Sequence, residues 1–251
     1  MNESDRQMNI LDVKIDSLSH RDAIDKVSRW IRKPYSYTHI VTTPNPEIVM
    51  AAQTNNELMQ ALNNTDLALP DGRGLQWAAK RYKQQIRHRI TGVDFIHSLA
   101  SISPQKKWRW YLVGGAPGVA KQASNNLIKK FPGIHIVKAE DGGAITLDSI
   151  GNIDALVARI RSYKPDILCV AFGAPKQEIF MQIYKHKLGA KVALGIGGTL
   201  DFISGKRKRA PKIIRIIGLE WLYRLVREPR RIGRIYTAII RFPLAVMRSH
   251  K

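Results

Sequence analysis

The sequence predicts an α/β protein, with a largely parallel sheet covered by helices on both faces and a basic helical appendage at the C-terminal end. Three observations predict it. Short apolar runs alternate with segments of helical period over the first two hundred residues, the pattern of βα units whose strands are buried on both sides. Turns rich in Gly, Pro and polar residues follow one strand candidate after another, as they do where a parallel sheet gathers its loops at one edge. Fourteen of the 41 Lys and Arg residues lie between Gly205 and Lys251, against only Glu220 and Glu228, so +12 of a net charge of +21 sits in that stretch. The architecture is thus Rossmann-like over 1–204, with a basic amphipathic appendage over 205–251.

The strand candidates, in order, are "MNILDVKI", "YTHIVTT", "DLALP", "WRWYLVG", "GIHIVKA", "DILCVAF" and "AKVALGI". Helical periods fill the gaps at 20–32, 46–63, 74–84, 93–101, 117–131, 150–163 and 175–187. Several open with Pro or Asp, which suit a first turn whose N–H groups have no partner within the helix. No internal repeat or low-complexity linker interrupts the alternation.

Composition sets the limits. A chain of 251 residues with 44% apolar and 24% charged residues holds one large domain or two small ones around a real core, so disorder is not the default. The single Cys169 lies in an apolar run; it excludes an intrachain disulfide and reads as a buried thiol of a reducing compartment. The start "MNESDRQMNILDVKID" lacks the basic end and apolar core of a signal peptide. No apolar stretch approaches the roughly 20 residues that cross a bilayer. A cytosolic chain is expected, with a membrane surface still open to it. The basic tail requires an anionic partner: phosphate, lipid head group or nucleic acid.

Five strand ends carry polar clusters: "TTPNPE", "PDGRG", "GGAPG", "GAPKQE" and "GGTLD". Gathered on one edge, they would share a crevice at the carboxyl ends of the strands. Thr43 and Asn45, with Pro44 and Pro46, also read as a turn and helix cap. Asp71, before Gly72, reads either as a turn residue or as a carboxylate presented to a hydroxyl substrate as general base. "YLVGGAPGVAKQ" supplies Gly114, Gly115 and Gly118 between a strand and a helix, with Glu140 and Asp141 about 25 residues on. This imitates the dinucleotide fingerprint without matching G-x-G-x-x-G, leaving a nucleotide-like ligand and tight strand-to-helix packing both open. "GGTLDFISGKRKR", with Gly197 and Gly198, is not a Walker A loop, because six residues precede Gly205 and Arg207 stands where Ser or Thr is required.

There is no D-x-D pair, H-E-x-x-H, Cys cluster or G-x-S-x-G turn, so neither a metal site nor a hydrolase triad is expected. The available counter-charges for phosphate are arginines. Arg224, Arg227, Arg231 and Arg234 are spaced 3, 4 and 3, along one helical face, and Arg241 and Arg248 extend the row. Pro229 and Pro243 are expected to divide this helix. Leu222, Leu225, Val226, Ile232, Ile235, Ile239 and Ile240 mark the opposite face, with Trp221 and Tyr223 near its start. This is the pattern of a basic amphipathic segment lying on an anionic membrane; the plainer alternative is a helix packed on its own core.

Taken together, "TTPNPEIV", "LALPDGRGLQWAAK", "YLVGGAPGV", "FGAPKQE", "GIGGTLDFISG" and "RAPKIIRIIGLEWLYRLVREPRRIGR" resemble the WecG/TagA/CpsF family of bacterial glycosyltransferases, glycosyltransferase family 26, from about residue 8 to about residue 245. The specificity lies in the combination and its order. The resemblance implies an inverting, metal-independent transferase without cofactor. It would move N-acetylmannosamine, or the related uronic acid, from a UDP donor to a sugar on polyprenyl diphosphate, in cell-surface polysaccharide or teichoic acid linkage synthesis. The same resemblance implies a peripheral protein of the cytoplasmic face of the inner (plasma) membrane, with a homo-oligomer allowed.

By the same resemblance, 1–204 becomes the catalytic domain and Asp71 the base that takes the acceptor's proton. Thr43 and Asn45 would hold the sugar or the base, and Gln177 matches the family's pocket glutamine. Arg224, Arg231 and Arg234 match tail arginines that close over the diphosphate, with Arg227 or Arg230 able to substitute. Gly114, Gly115, Gly118, Asp141, Gly197 and Gly198 are the candidate nucleotide contacts. "TPNPE" and "LPDGRG" resemble the N-acetylmannosaminyl branch and "APKI...GLEWLYRL" is shared with the mannosaminuronic acid branch, whose donor asks for an extra cation in the donor pocket to which the sequence assigns no residue.

Two competing classes remain. A dinucleotide-dependent oxidoreductase is suggested by "GGAPG" with Glu140 or Asp141. A nucleic-acid-binding module is suggested by the tail, but would have no use for Asp71 or Gln177, and no nucleic-acid partner is expected.

Overall fold

In the computed structural model, which describes residues 7–150, 153–211, 213–214 and 218–249, the first apolar run leaves the main sheet. "MNILDVKI" folds on itself as an antiparallel hairpin of β1 (Gln7–Ile10) and β2 (Val13–Asp16). Its turn residues Leu11 and Asp12 both take positive φ, 48° and 61°, the geometry of a two-residue hairpin turn.

The other six runs become β3 (His39–Thr42), β4 (Leu67–Ala68), β5 (Arg109–Gly114), β6 (His135–Glu140), β7 (Ile167–Ala171) and β8 (Val192–Gly195). They pair in parallel, in the order β4-β3-β8-β7-β5-β6. The sheet's two faces are read from alternate residues. Val41, Leu112, Cys169 and Leu194 pack into one cluster, while Ile40, Tyr111, Val113, Leu168, Val170 and Ala193 pack into the other. Both faces are covered, as the unbroken apolar strands require. Cys169 is buried and free, and burial pushes its thiol pKa up.

The helices are α1 (His20–Arg32), α2 (Pro46–Ala52), α3 (Asn56–Asn63), α4 (Arg73–Arg81), α5 (Gly92–Lys106), α6 (Val119–Lys130), α7 (Asp154–Ser162), α8 (Lys176–Ile183) and α9 (Thr199–Ile203). The expected single helix over 46–63 is two. Asn55 takes an extended conformation and its side chain accepts the Leu58 N–H, starting α3 afresh. The helix expected at 150–163 begins only at Asp154, and α5 runs past the expected end, carrying Pro104 in its last turn.

The appendage is built from α10 (Glu220–Arg227), a 3₁₀ turn at Pro229–Arg231, α11 (Ile232–Tyr236), a π turn at Thr237–Arg241 and α12 (Phe242–Ser249). Pro229 divides the helix as expected. Pro243 does not: the π turn before it widens the backbone where the proline lacks an N–H to give. Phe242 and Val246 are fully buried in a third cluster with Ile10, Val13, Leu75 and Ala78. The far end of the tail is therefore seated against α4 and α2, in the cluster that also holds Ile10 and Val13 of the hairpin. Leu222, Val226, Ile232, Ile239 and Ile240 stay exposed. Among the described residues no helix is long and apolar enough to cross a membrane.

Candidate active site

The carboxyl ends of β3, β4, β5, β7 and β8 open into one cavity of about 940 Å³, and the tail supplies its remaining wall. Asp71 enters it from the loop after β4. Its backbone N–H donates to the Pro44 carbonyl at 2.8 Å, and the Pro70 carbonyl accepts the Ile90 N–H at 3.0 Å, so the loop is held from both sides. The glycines around it are needed for fit. Gly72 has φ of 118°, and a Cβ on Gly74 would stand 2.6 Å from the Pro46 ring and 3.7 Å from Phe242.

No side chain among the described residues hydrogen-bonds the Asp71 carboxylate. Burial raises its pKa to about 6; Arg89 and Arg224 pull it down, Glu220 pushes it up and Arg209 pulls it down. The result is a carboxylate that is largely ionised at neutral pH yet basic enough to take a proton.

Thr43 and Asn45 line the same cavity. The Thr43 hydroxyl donates to the Gly195 carbonyl at 3.3 Å. Asn45 caps α2, its Oδ1 accepting the Ile48 N–H at 3.0 Å, so the capping reading holds for it in a residue that also lines the cavity. Gln177, buried in the first turn of α8, accepts the Gly197 N–H through Oε1 at 2.9 Å and donates from Nε2 to Glu178 at 2.8 Å. Burial raises the Glu178 carboxyl to about 7, with the Gln177 bond lowering it.

Gly114, Gly115, Asp141, Gly197 and Gly198 line the cavity, whereas Gly118 begins α6 outside the lining. Gly114 has no room for a side chain, since a Cβ would stand 2.5 Å from the Ala171 carbonyl oxygen. Tight packing is thus present in "GGAPG", against β7 at Gly114 and against Val119 of α6 at Gly115, where a Cβ would stand 3.0 Å away, while both glycines also line the cavity. Of the two acids that imitate a ribose reader, Glu140 is engaged by the Tyr111 hydroxyl and by Arg159 at 2.9 Å. Asp141 faces the cavity, its carboxylate accepting the Gly143 N–H at 3.1 Å.

The tail brings Arg224, Arg231 and Arg234 to the cavity, each on a glutamate at 2.6 Å: Arg224 on Glu220, Arg231 on Glu228 and Arg234 on Glu47. Arg227 instead stacks over the Tyr223 ring at 5.5 Å, and neither it nor Arg230 is in the lining. Residues that motif reading passed over also arrive here. Arg209 binds Asp94 through both guanidinium nitrogens, at 2.6 and 2.8 Å, and donates to Thr91 at 3.1 Å; Lys176 and Lys206 line the wall. Within "GKRKR" nothing marks one cation above another; only the approach to a helix 115 residues away does. Among the described residues no three His, Cys, Asp or Glu side chains converge to hold a metal ion.

With this geometry in view, comparison with known proteins agrees. The chain matches the model of the glycosyl transferase WecG/TagA/CpsF family over residues 8–251. Similar proteins include the N-acetylglucosaminyldiphosphoundecaprenol N-acetyl-beta-D-mannosaminyltransferases of Staphylococcus aureus strains MRSA252 and MW2. Each is 30% identical over 229 residues, covering 91% of this chain and 88% of the relative.

Proposed function

Since this chain belongs to the WecG/TagA/CpsF family of glycosyl transferases, we propose that it transfers N-acetylmannosamine from its UDP donor to N-acetylglucosamine carried on polyprenyl diphosphate. The observation that carries this reading is an Asp71 carboxylate that no side chain among the described residues hydrogen-bonds, facing one cavity together with Arg224, Arg231 and Arg234. Asp71 takes the proton of the acceptor hydroxyl as that oxygen attacks the donor's anomeric carbon. The bond to the UDP oxygen breaks on the opposite side, and the configuration inverts in one displacement. Proton removal by a placed base contributes roughly 100-fold to 10,000-fold. The charge that develops on the leaving diphosphate is met by the arginine forks, which need no metal to do so.

A lipid-linked acceptor calls for work at a membrane surface, and the exposed apolar residues of the tail, interleaved with arginines, support peripheral attachment there. The uronic acid donor is kept as a second reading because Lys176, within "GAPKQE", and Lys206 line the cavity and would meet its extra carboxylate.

The test is transfer from UDP-N-acetylmannosamine to a short-chain lipid-diphosphate N-acetylglucosamine with EDTA present, following UDP release. Turnover supports reaction, donor and metal independence together. Activity with the uronic acid donor alone moves the donor, and no activity with either rejects the reading.

A further inference from the structure

Glu178 stands directly behind the cavity wall, 1% exposed, in the first turn of α8. Its neighbour Gln177 is 2% exposed and yet lines the cavity. An amide side chain in such a place has two orientations of nearly equal shape and opposite chemistry. Here both ends are assigned. Gln177 Oε1 accepts the Gly197 N–H at 2.9 Å, and Nε2 gives one hydrogen to Glu178 Oε1 at 2.8 Å. The reversed amide would face a donor with a donor and a carboxyl oxygen with an oxygen. The second Nε2 hydrogen has no partner among the described residues.

Gly195 leaves the room that Gln177 and Met181 fill. A Cβ on Gly195 would stand 2.9 Å from Met181 and 3.3 Å from Gln177 Nε2. Gly197 takes φ of 46° where the chain turns from β8 into α9. The other carboxyl oxygen of Glu178, Oε2, is buried and no side chain among the described residues hydrogen-bonds it. A buried carboxyl whose only side-chain donor is Gln177, with its own backbone N–H beside it, is a costly element that packing alone does not require. Burial raises its pKa, and a proton on Oε2 leaves Oε1 as the acceptor, so the bond to Gln177 survives either protonation state.

We propose that Glu178 is a positioning residue: it fixes the Gln177 amide so that Oε1 anchors the Gly197 turn and the free Nε2–H is offered to the substrate in the cavity. The inference takes its activity arm from the transferase reading. Its structural arm is independent of that reading.

The experiment compares E178M, which removes both oxygens at similar volume, with E178Q, whose amide oxygen can accept the same hydrogen. E178M is expected to lower kcat/KM about tenfold or more while E178Q stays within about threefold of the parent. Native-state hydrogen exchange at the Gly197 amide is expected to quicken in E178M and to stay slow in E178Q. In a Q177M background, E178M is expected to cost nothing further. Equal losses in E178M and E178Q, an unimpaired E178M, unchanged exchange at Gly197, or additive losses in the double variant overturn the proposal. If E178M does not fold, E178D withdraws the acceptor while keeping the carboxylate and carries the same expectations. A parent protein that shows no transfer condemns the transferase reading alone, with the exchange comparison still deciding the role of Glu178.

Discussion

The backbone N–H of Asp71 donates to the carbonyl of Pro44 at 2.8 Å, joining the loop after β4 to the loop after β3. The residue proposed as base is therefore held at a set distance from Thr43 and Asn45, which flank Pro44. Asp71→Asn is expected to cut transfer at least 100-fold while leaving UDP binding within a few-fold. Turnover assays and calorimetry on the same preparation separate the two.

The pH profile should report the same group. With its carboxyl at about 6, Asp71 is protonated and useless as a base below that value, so kcat/KM should fall on the acid side of about pH 6. A profile flat down to pH 4.5 would remove Asp71 from the proton transfer.

Stability responds in the opposite sense. The folded carboxyl binds its proton more tightly than an unfolded one, about 6 against 3.8, so the native state holds the extra proton between those values. Stability contributed by the protonated form is lost as pH rises through that window. Asp71→Asn should melt above the parent at pH 8, by at most about 3 kcal/mol of stabilisation, with the difference vanishing near pH 4. Melting curves at the two pH values check this.

Arg231→Gln and Arg234→Gln are each expected to weaken UDP binding or raise the acceptor KM about 10-fold to 100-fold, the range for hydrogen bonds to charged groups. The effect of Arg234→Gln on stability should be small. The Arg234 side chain is 60% exposed, and exposed ion pairs contribute about 0–1 kcal/mol. A variant that unfolds but binds normally when folded would contradict this assignment.

Val226 and Ile232 are 74% and 66% exposed on a basic segment. Replacing both with Asp should reduce sedimentation with anionic vesicles at least tenfold, with the melting temperature nearly unchanged. Undiminished vesicle binding would place the membrane contact elsewhere.

The sheet was legible because β7 and β8 are wholly apolar and wholly buried, and because the strand-end motifs fall together only if the strands run parallel. The hairpin was not legible. Leu11 and Asp12 take a turn conformation that is ordinarily signalled by Asn-Gly or Gly, so "MNILDVKI" reads as one strand. The break at Asn55 lay hidden in a continuous helical period. Asp71, Thr43, Asn45 and Gln177 stood out as polar residues at strand ends, but Glu178 did not, since α8 turns it inward behind Gln177. Phe242 was not among the tail residues that the apolar pattern marked; its burial depends on α4 and α2, which lie far away in the chain.

Phe242 and Arg209 together make the tail a strap pinned at two ends, one seated in a core cluster and the other on Asp94. The segment that carries Arg224 to Arg234 lies between these pins and is held to the body by pairs of its own, Arg207 on Glu228 at 3.4 Å and Arg234 on Glu47 at 2.6 Å. Damage to it should accordingly be silent by size: a proteolytic nick between α10 and α11 would disconnect the arginines from one anchor while both fragments continue to migrate as one particle. Inactivation of such a protein would be visible only under denaturing conditions.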